Sequence, residues 1–141
     1  MIRYATAAWV GPGMTGEGRL TLESSLFAEL PFSFDSRFGT EMKGTNPEEL
    51  LAAAHASCFT MKLSFVLEEA GYAPKSLLTN AYISFVNGAI TGSKLEVYAH
   101  IPGISELVFR ENVAEANRCC PVSRALSIAV TFDLILESSY L

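Results

Sequence analysis

Charge is what this chain has least of. Asp, Glu, Lys and Arg make up 18% of its 141 residues, where an ordinary soluble domain carries about a quarter. Ten basic residues face fifteen acidic ones, for a net charge of −5, and no basic run exists. Without a cationic stripe there is little to displace counterions from a phosphate backbone, which argues against nucleic acid as a partner. Histidine and cysteine are scarce too, at two and three. None of them falls in a C-x-x-C or H-x-x-x-H spacing, which argues against a metal centre. No G-x-G-x-x-G turn, P-loop or nucleophile elbow is present, and no cofactor is expected. Met1-Ile-Arg-Tyr is not followed by an apolar signal core. The longest apolar stretch, residues 50–67, is interrupted by His55 and Lys62 and reads as too short for a membrane span. These absences predict a soluble, cytoplasmic protein that does not contact a membrane. In that compartment three cysteines point away from structural disulfides, toward redox or catalytic thiols or plain apolar filler.

Apolar residues, at half of the chain, are what it has in quantity. One domain spanning 1–141 can build a core from them. Few charges are left to cover its surface, so part of the apolar surface is expected to be hidden in an oligomer.

The residues order as β-β-β-α-β-β-α-α-β, an α+β class. Residues 2–10 read as a strand, Gly11-Pro-Gly as a turn, and Leu20 to Ser24 as the returning strand of a hairpin. Pro31 to Phe34 is a short third strand, and residues 35–44 are a polar loop holding Arg37. Thr45 or Asn46 caps a helix that Pro47 opens, with Glu48 and Glu49 at its positive end. That helix should run to Ala70 and stop at Gly71. Its apolar residues occur on nearly every face, which predicts a central, buried helix. Residues 77–86 alternate as a strand, Asn87-Gly88 is a type I′ hairpin signal, and residues 94–101 return with Leu95, Val97, Ala99 and Ile101 on one face. Ser105-Glu106 opens a helix to Arg118. Pro121 starts a short one, and residues 129–137 form the last strand.

Two thiols stand out. Cys58 lies deep in the apolar helix, one helical turn after His55. As plain core filler it would be inert, because burial raises a thiol pKa. As a reactive thiolate it needs a cation, for which Arg37 is the candidate, with Glu48 to orient the guanidinium. Glu48 and Cys58 are ten positions apart in the chain, about 15 Å along a continuous helix. Either the helix breaks between them or Glu48 serves the Cys58 of a partner subunit; the second is the preferred hypothesis. Cys120 precedes Pro121 at a helix start, where free N–H groups favour a thiolate, as suits a resolving thiol or a leaving group in exchange with an external dithiol; otherwise it is a mediocre cap. Cys119 receives no role. His55 is read as a satisfied core histidine ahead of a base acting on Cys58. Phe38, Phe59, Met61 and Phe65 are read as core or pocket wall.

Arg37-Phe-Gly, the run Gly44-Thr-Asn-Pro-Glu-Glu-Leu-Leu-Ala-Ala-Ala-His-Ala-Ser-Cys58-Phe-Thr-Met, and Cys120-Pro-Val-Ser closely resemble the OsmC/Ohr family of osmotically induced and organic hydroperoxide resistance proteins. Ala-Ala-His-Ala before the cysteine is nearer the OsmC branch. The resemblance implies antiparallel sheets wrapped around long central helices in an intertwined homodimer. It implies a thiol peroxidase that acts on organic hydroperoxides and, less well, on inorganic ones. Cys58 would be the peroxidatic cysteine, Cys120 the resolving one that pairs with it, and Arg37 and Glu48 the thiolate-activating pair. A dithiol would reduce the disulfide, a lipoylated protein being one such reductant. Cys119 departs from the family pattern. A non-catalytic protein of the same fold, binding a hydrophobic ligand or sensing redox state, is the competing reading.

Overall fold

The computed structural model describes residues 1–137, so the last four residues of the expected 1–141 domain lie outside it. The chain divides into two compact units, Met1–Leu50 and Leu51–Leu141.

In the first unit, β1 (Ala5–Val10), β2 (Glu17–Leu22) and β3 (Leu30–Phe32) form one antiparallel sheet in the order β1-β2-β3. The expected hairpin is there, although β1 begins three residues later than its apolar pattern suggests. The segment read as a polar loop contains a helical turn, α1 (Phe34–Phe38). Its cause is a reciprocal cap. Ser33 Oγ accepts from the Ser36 N–H at 3.1 Å, and Ser36 Oγ accepts from the Ser33 N–H at 2.8 Å. A serine at both ends replaces the usual Ser-x-x-Glu box, which hid the helix start from the sequence pattern. The buried Ser36 hydroxyl also donates to the Thr45 carbonyl at 2.8 Å. Gly44 lies so near β3 that a Cβ there would come within 2.4 Å of the Pro31 carbonyl oxygen. Only glycine permits that approach.

Helix α2 (Pro47–Glu69) follows without a break. Asn46 is the cap: its Oδ1 accepts from the Glu49 N–H at 2.8 Å, and its amide donates to the Ser36 carbonyl at 3.2 Å. Thr45 instead donates to the Glu49 carboxylate. Gly71, at φ +90°, supplies the expected left-handed stop.

The second unit is built on β4 (Ser76–Val86), β5 (Ala89–His100) and β6 (Ala129–Leu136), with β5 central. Asn87 and Gly88 both take positive φ, as a type I′ turn requires. β4 and β5 pair antiparallel, but β6 joins β5 in parallel. This sheet is therefore mixed, where antiparallel pairing alone was expected. A parallel neighbour needs a crossover, and α3 (Glu106–Cys119) with α4 (Pro121–Ala125) provides it.

The core sits on one face of β5. Leu95, Val97 and Ala99 alternate inward, with Ile101 beyond the strand end, and meet Phe109, Val113 and Ala116 of α3. From α2 come Phe59, Leu63 and Leu67, with Phe59 against Phe132 of β6 at a centroid distance of 5.4 Å. The buried residues of α2 are His55, Phe59, Leu63 and Leu67, a single stripe at four-residue spacing. Burial of this helix on nearly every face is thus not what one chain shows: Met61 and Phe65 stay more than half exposed. At 23 residues α2 also passes, by length and composition alone, for a membrane-crossing helix, against the expectation that the stretch is too short. The stripe it buries against β5 is that of a core helix.

Phe59 has no exposed surface. Phe59→Ala should lower the unfolding free energy by about 3–5 kcal/mol, read as a lower urea midpoint at unchanged slope.

Candidate functional site

Two constellations carry the predicted site residues, one in each unit. In the first, α1 presents Arg37 and the opening turn of α2 presents Glu48. Arg37 Nη2 meets Glu48 Oε1 at 2.6 Å, and Nε lies 3.1 and 3.2 Å from the two carboxylate oxygens. This two-pronged contact fixes the guanidinium plane as a lysine could not. The guanidinium also stacks on Phe38, 5.0 Å from its centroid. Arg37, by its hydrogen bonds before all else, holds the Glu48 carboxyl below the usual carboxylate range, and burial only partly opposes this. Arg37 is thus oriented by Glu48, as the sequence suggested. Because α2 is continuous, a break between Glu48 and Cys58 is ruled out.

In the second unit, α2 presents Cys58 and the joint between α3 and α4 presents Cys120. Their sulfurs are 3.5 Å apart, both as free thiols. An S–S bond is about 2.05 Å, so a small closing movement would join them. Burial is the reverse of what the sequence suggested: Cys120 is fully buried, whereas Cys58 is only partly covered. Their acidities differ as well. Burial pushes the Cys58 thiol up; the Val122 N–H and the Lys62 charge offset this in part, while Cys120 adds to it. Burial acts on Cys120 in the same sense, but the Ser123 hydroxyl, the Ser123 and Val122 N–H groups and Cys58 outweigh it. The Cys120 thiol ends below the ordinary value. The helix start behind Cys120 therefore acts as expected, although the strongest single aid is a side chain, Ser123.

His55 is the satisfied core histidine of the sequence reading. It is fully buried on the α2 stripe. Its Nδ1 lies 2.8 Å from Ser93 Oγ on β5, and its Nε2 2.8 Å from Ser123 Oγ on α4. Burial lowers its pKa. Cys119 donates to Glu115 at 3.1 Å, one helical turn back, and Glu115 also pairs with Arg118. Nε2 of His100 is buried without a hydrogen-bond partner. Phe38, Met61 and Phe65 are exposed in a single chain, and of the four aromatic and Met candidates Phe59 alone is core.

Three residues at this site were not singled out from the sequence. Lys62 follows Cys58 by four positions, so helical spacing alone could have found it. Ser123 stands three residues after Cys120, at the N3 position of α4. Ser93 carries no sequence signal; only the strand register brings it to His55.

An α+β chain with a long central helix and two adjoining thiols defines the class. The family model described as OsmC-like protein matches residues 39–135. The chain is 41% identical over 136 residues to Peroxiredoxin OsmC of Escherichia coli K12, covering 94% of each. It is 26% identical to an uncharacterised protein of Acinetobacter baylyi over 86% of this chain and 87% of that one. Among solved structures, an organic hydroperoxide resistance protein OsmC from Legionella pneumophila superimposes with a TM-score of 0.68 at 23% identity, covering 96% and 97% of the two chains. An OsmC-like protein from Mycoplasma pneumoniae does so at 0.78 and 16%, covering 98% and 99%. The chain belongs to the OsmC-like family.

The depressed His55 pKa has a consequence for stability. The unfolded chain binds a proton near the ordinary imidazole value of about 6.5, while the folded chain resists it. The stability is fully present above that pH and is lost as pH falls through the lower folded value. Urea titrations from pH 8 to pH 5 should show this loss, and His55→Gln should remove the His55 part of it.

Proposed function

We propose that this protein is a peroxidase that reduces organic hydroperoxides, and hydrogen peroxide less well, through a Cys58–Cys120 thiol–disulfide cycle. The observation that carries the reading is the pair of free sulfurs 3.5 Å apart, in a chain 41% identical to a peroxiredoxin. A hydrophobic-ligand binder would have no use for a second thiol within reach of the first.

The cycle balances as follows. The Cys58 thiolate attacks the distal oxygen of R–O–O–H. The O–O bond breaks, ROH leaves with one added proton, and Cys58 becomes a sulfenic acid. The Cys120 sulfur then attacks Cys58, an S–S bond forms, and the sulfenic oxygen leaves as water. An external dithiol restores both thiols by exchange and is itself oxidised to a disulfide. A lipoylated protein has the required chemistry.

In one chain the surroundings of Cys58 raise its pKa, so its activation calls for a further cation. Arg37, held in a fixed plane by Glu48, is the group suited to it. In the homodimer we propose, the Arg37–Glu48 pair of one subunit serves the Cys58 of the other. The exposed faces of Met61 and Phe65 are apolar surface that such a dimer would cover. An alkyl tail on the peroxide gains about 0.8 kcal/mol per buried methylene, the basis for preferring organic substrates. The single-domain reading of residues 1–141 and a cytoplasmic location belong to the same proposal.

Cumene hydroperoxide consumption with a dithiol should be lost in Cys58→Ser. In Cys120→Ser one peroxide should react per thiol, but turnover should be poor. Arg37→Ala should slow the attack by at least about tenfold at neutral pH. Wild-type protein that leaves cumene hydroperoxide untouched, or a Cys58→Ser variant that still turns over, would overturn the assignment.

A further inference from the structure

One buried network is not used by the cycle just described. His55 and Ser93 are 0% and 1% exposed, yet His55 lies in an otherwise apolar stripe with Phe59, Leu63 and Leu67. Both of its ring nitrogens are engaged at 2.8 Å, by Ser93 and by Ser123. Ser123 stands at the third position of the helix that Cys120 caps, its hydroxyl favours the Cys120 thiolate, and the Cys120 sulfur is 3.5 Å from Cys58. In order of adjacency these groups run Ser93, His55, Ser123, Cys120, Cys58. Each of these groups can both donate and accept a proton.

Two proton arrangements satisfy this chain. With Cys120 as a thiol, the Ser123 hydroxyl donates to Nε2, and Nδ1–H donates to Ser93. With Cys120 as a thiolate beside a neutral imidazole, Nε2–H donates to Ser123, whose own hydrogen turns to the sulfur, and Ser93 donates to Nδ1. Serine hydroxyls rotate freely enough to serve either state. Neither arrangement leaves a buried polar group unpaired, which would cost about 1–3 kcal/mol.

We propose that His55 is a positioning residue for the resolving step, acting through Ser123 to take the proton of Cys120 as it attacks Cys58 and to return it to the departing oxygen. This rests on the peroxidase reading above. Cys120 S–H gives its proton to the Ser123 oxygen while Ser123 gives its own to Nε2. The Cys120 sulfur forms the S–S bond, and the Cys58 S–O bond breaks with its electron pair on oxygen. The imidazolium returns the proton through Ser123 to that hydroxide, which leaves as water. In sum, a sulfenic acid and a thiol become a disulfide and water, with His55 neutral at both ends. Burial lowers the His55 pKa, so the imidazolium is short-lived, as a group that must give its proton back requires.

The test separates this from a purely structural role for His55. In a Cys58→Ser, Cys119→Ser background, Cys120 is the single remaining thiol, and its ionisation is read by thiolate absorbance near 240 nm without any peroxide. Ser123→Ala should raise the titration midpoint by about one pH unit, and Ser123→Thr, which keeps the hydroxyl, should restore it. In a Cys119→Ser background, His55→Gln keeps a donor and an acceptor but cannot carry a proton. It should leave the rate of Cys58 sulfenic acid formation unchanged and slow its conversion to disulfide by at least about tenfold, followed by trapping with a 1,3-dione. Disulfide formation at the wild-type rate in His55→Gln, or a thiolate midpoint unmoved in Ser123→Ala, would overturn the proposal. Wild-type protein that forms no sulfenic acid would instead refute the peroxidase reading, and the thiolate titration would still judge the Ser123–Cys120 link.

Discussion

A histidine placed in an apolar helical stripe must find partners for both ring nitrogens or cost the fold their lost hydration. That requirement at His55 organises the second unit. It is met from two separate elements, β5 through Ser93 and α4 through Ser123. The register of β5 against α2 and the position of α4 are therefore tied to one imidazole. Below it the stripe continues as Phe59, Leu63 and Leu67, packed on the inward face of β5. Cys58 and Cys120 lie where these elements meet, so the sulfur–sulfur distance follows from the same packing.

That packing treats the two thiols unequally. Cys58 sits mid-helix, where backbone N–H groups of its own helix are already bonded to carbonyls, so burial prevails and its proton is held more tightly. Cys120 sits between two helices. The N–H groups of Val122 and Ser123 belong to the first turn of a helix, where they need no helical carbonyl and favour a negative sulfur. The proposed nucleophile, Cys58, therefore calls for charge from outside this pocket. The Arg37–Glu48 pair is built like such a source: rigid, two-pronged and stacked on Phe38.

Much of the fold was legible because its signals are local. Gly71 ends α2, Asn87-Gly88 turns β4 into β5, and Ser105 caps α3, each through the backbone chemistry of one or two residues. Alternation along β5 gave its inward face correctly. What was not legible lay in pairings between distant residues. The α1 turn rests on two serines capping each other and on Ser36 reaching the Thr45 carbonyl. The burial of α2 was overstated, because hydropathy says which residues can be buried and not which neighbour exists to bury them. The parallel entry of β6 depends on the α3–α4 crossover rather than on any residue of β6.

By itself the sequence determined the class of elements, their order apart from α1, and the four residues on which the chemistry is proposed to rest, since Arg37, Glu48, Cys58 and Cys120 stand in recognisable local runs. Tertiary structure decided what those runs could not. It set Cys58 beside Cys120 across 62 positions of chain, made Cys120 rather than Cys58 the deeper thiol, and turned Ser93 and Ser123 into partners of His55. The reason is physical. Helix and turn signals act over a few residues of backbone, whereas the acidity of a thiol is set by what packs around it.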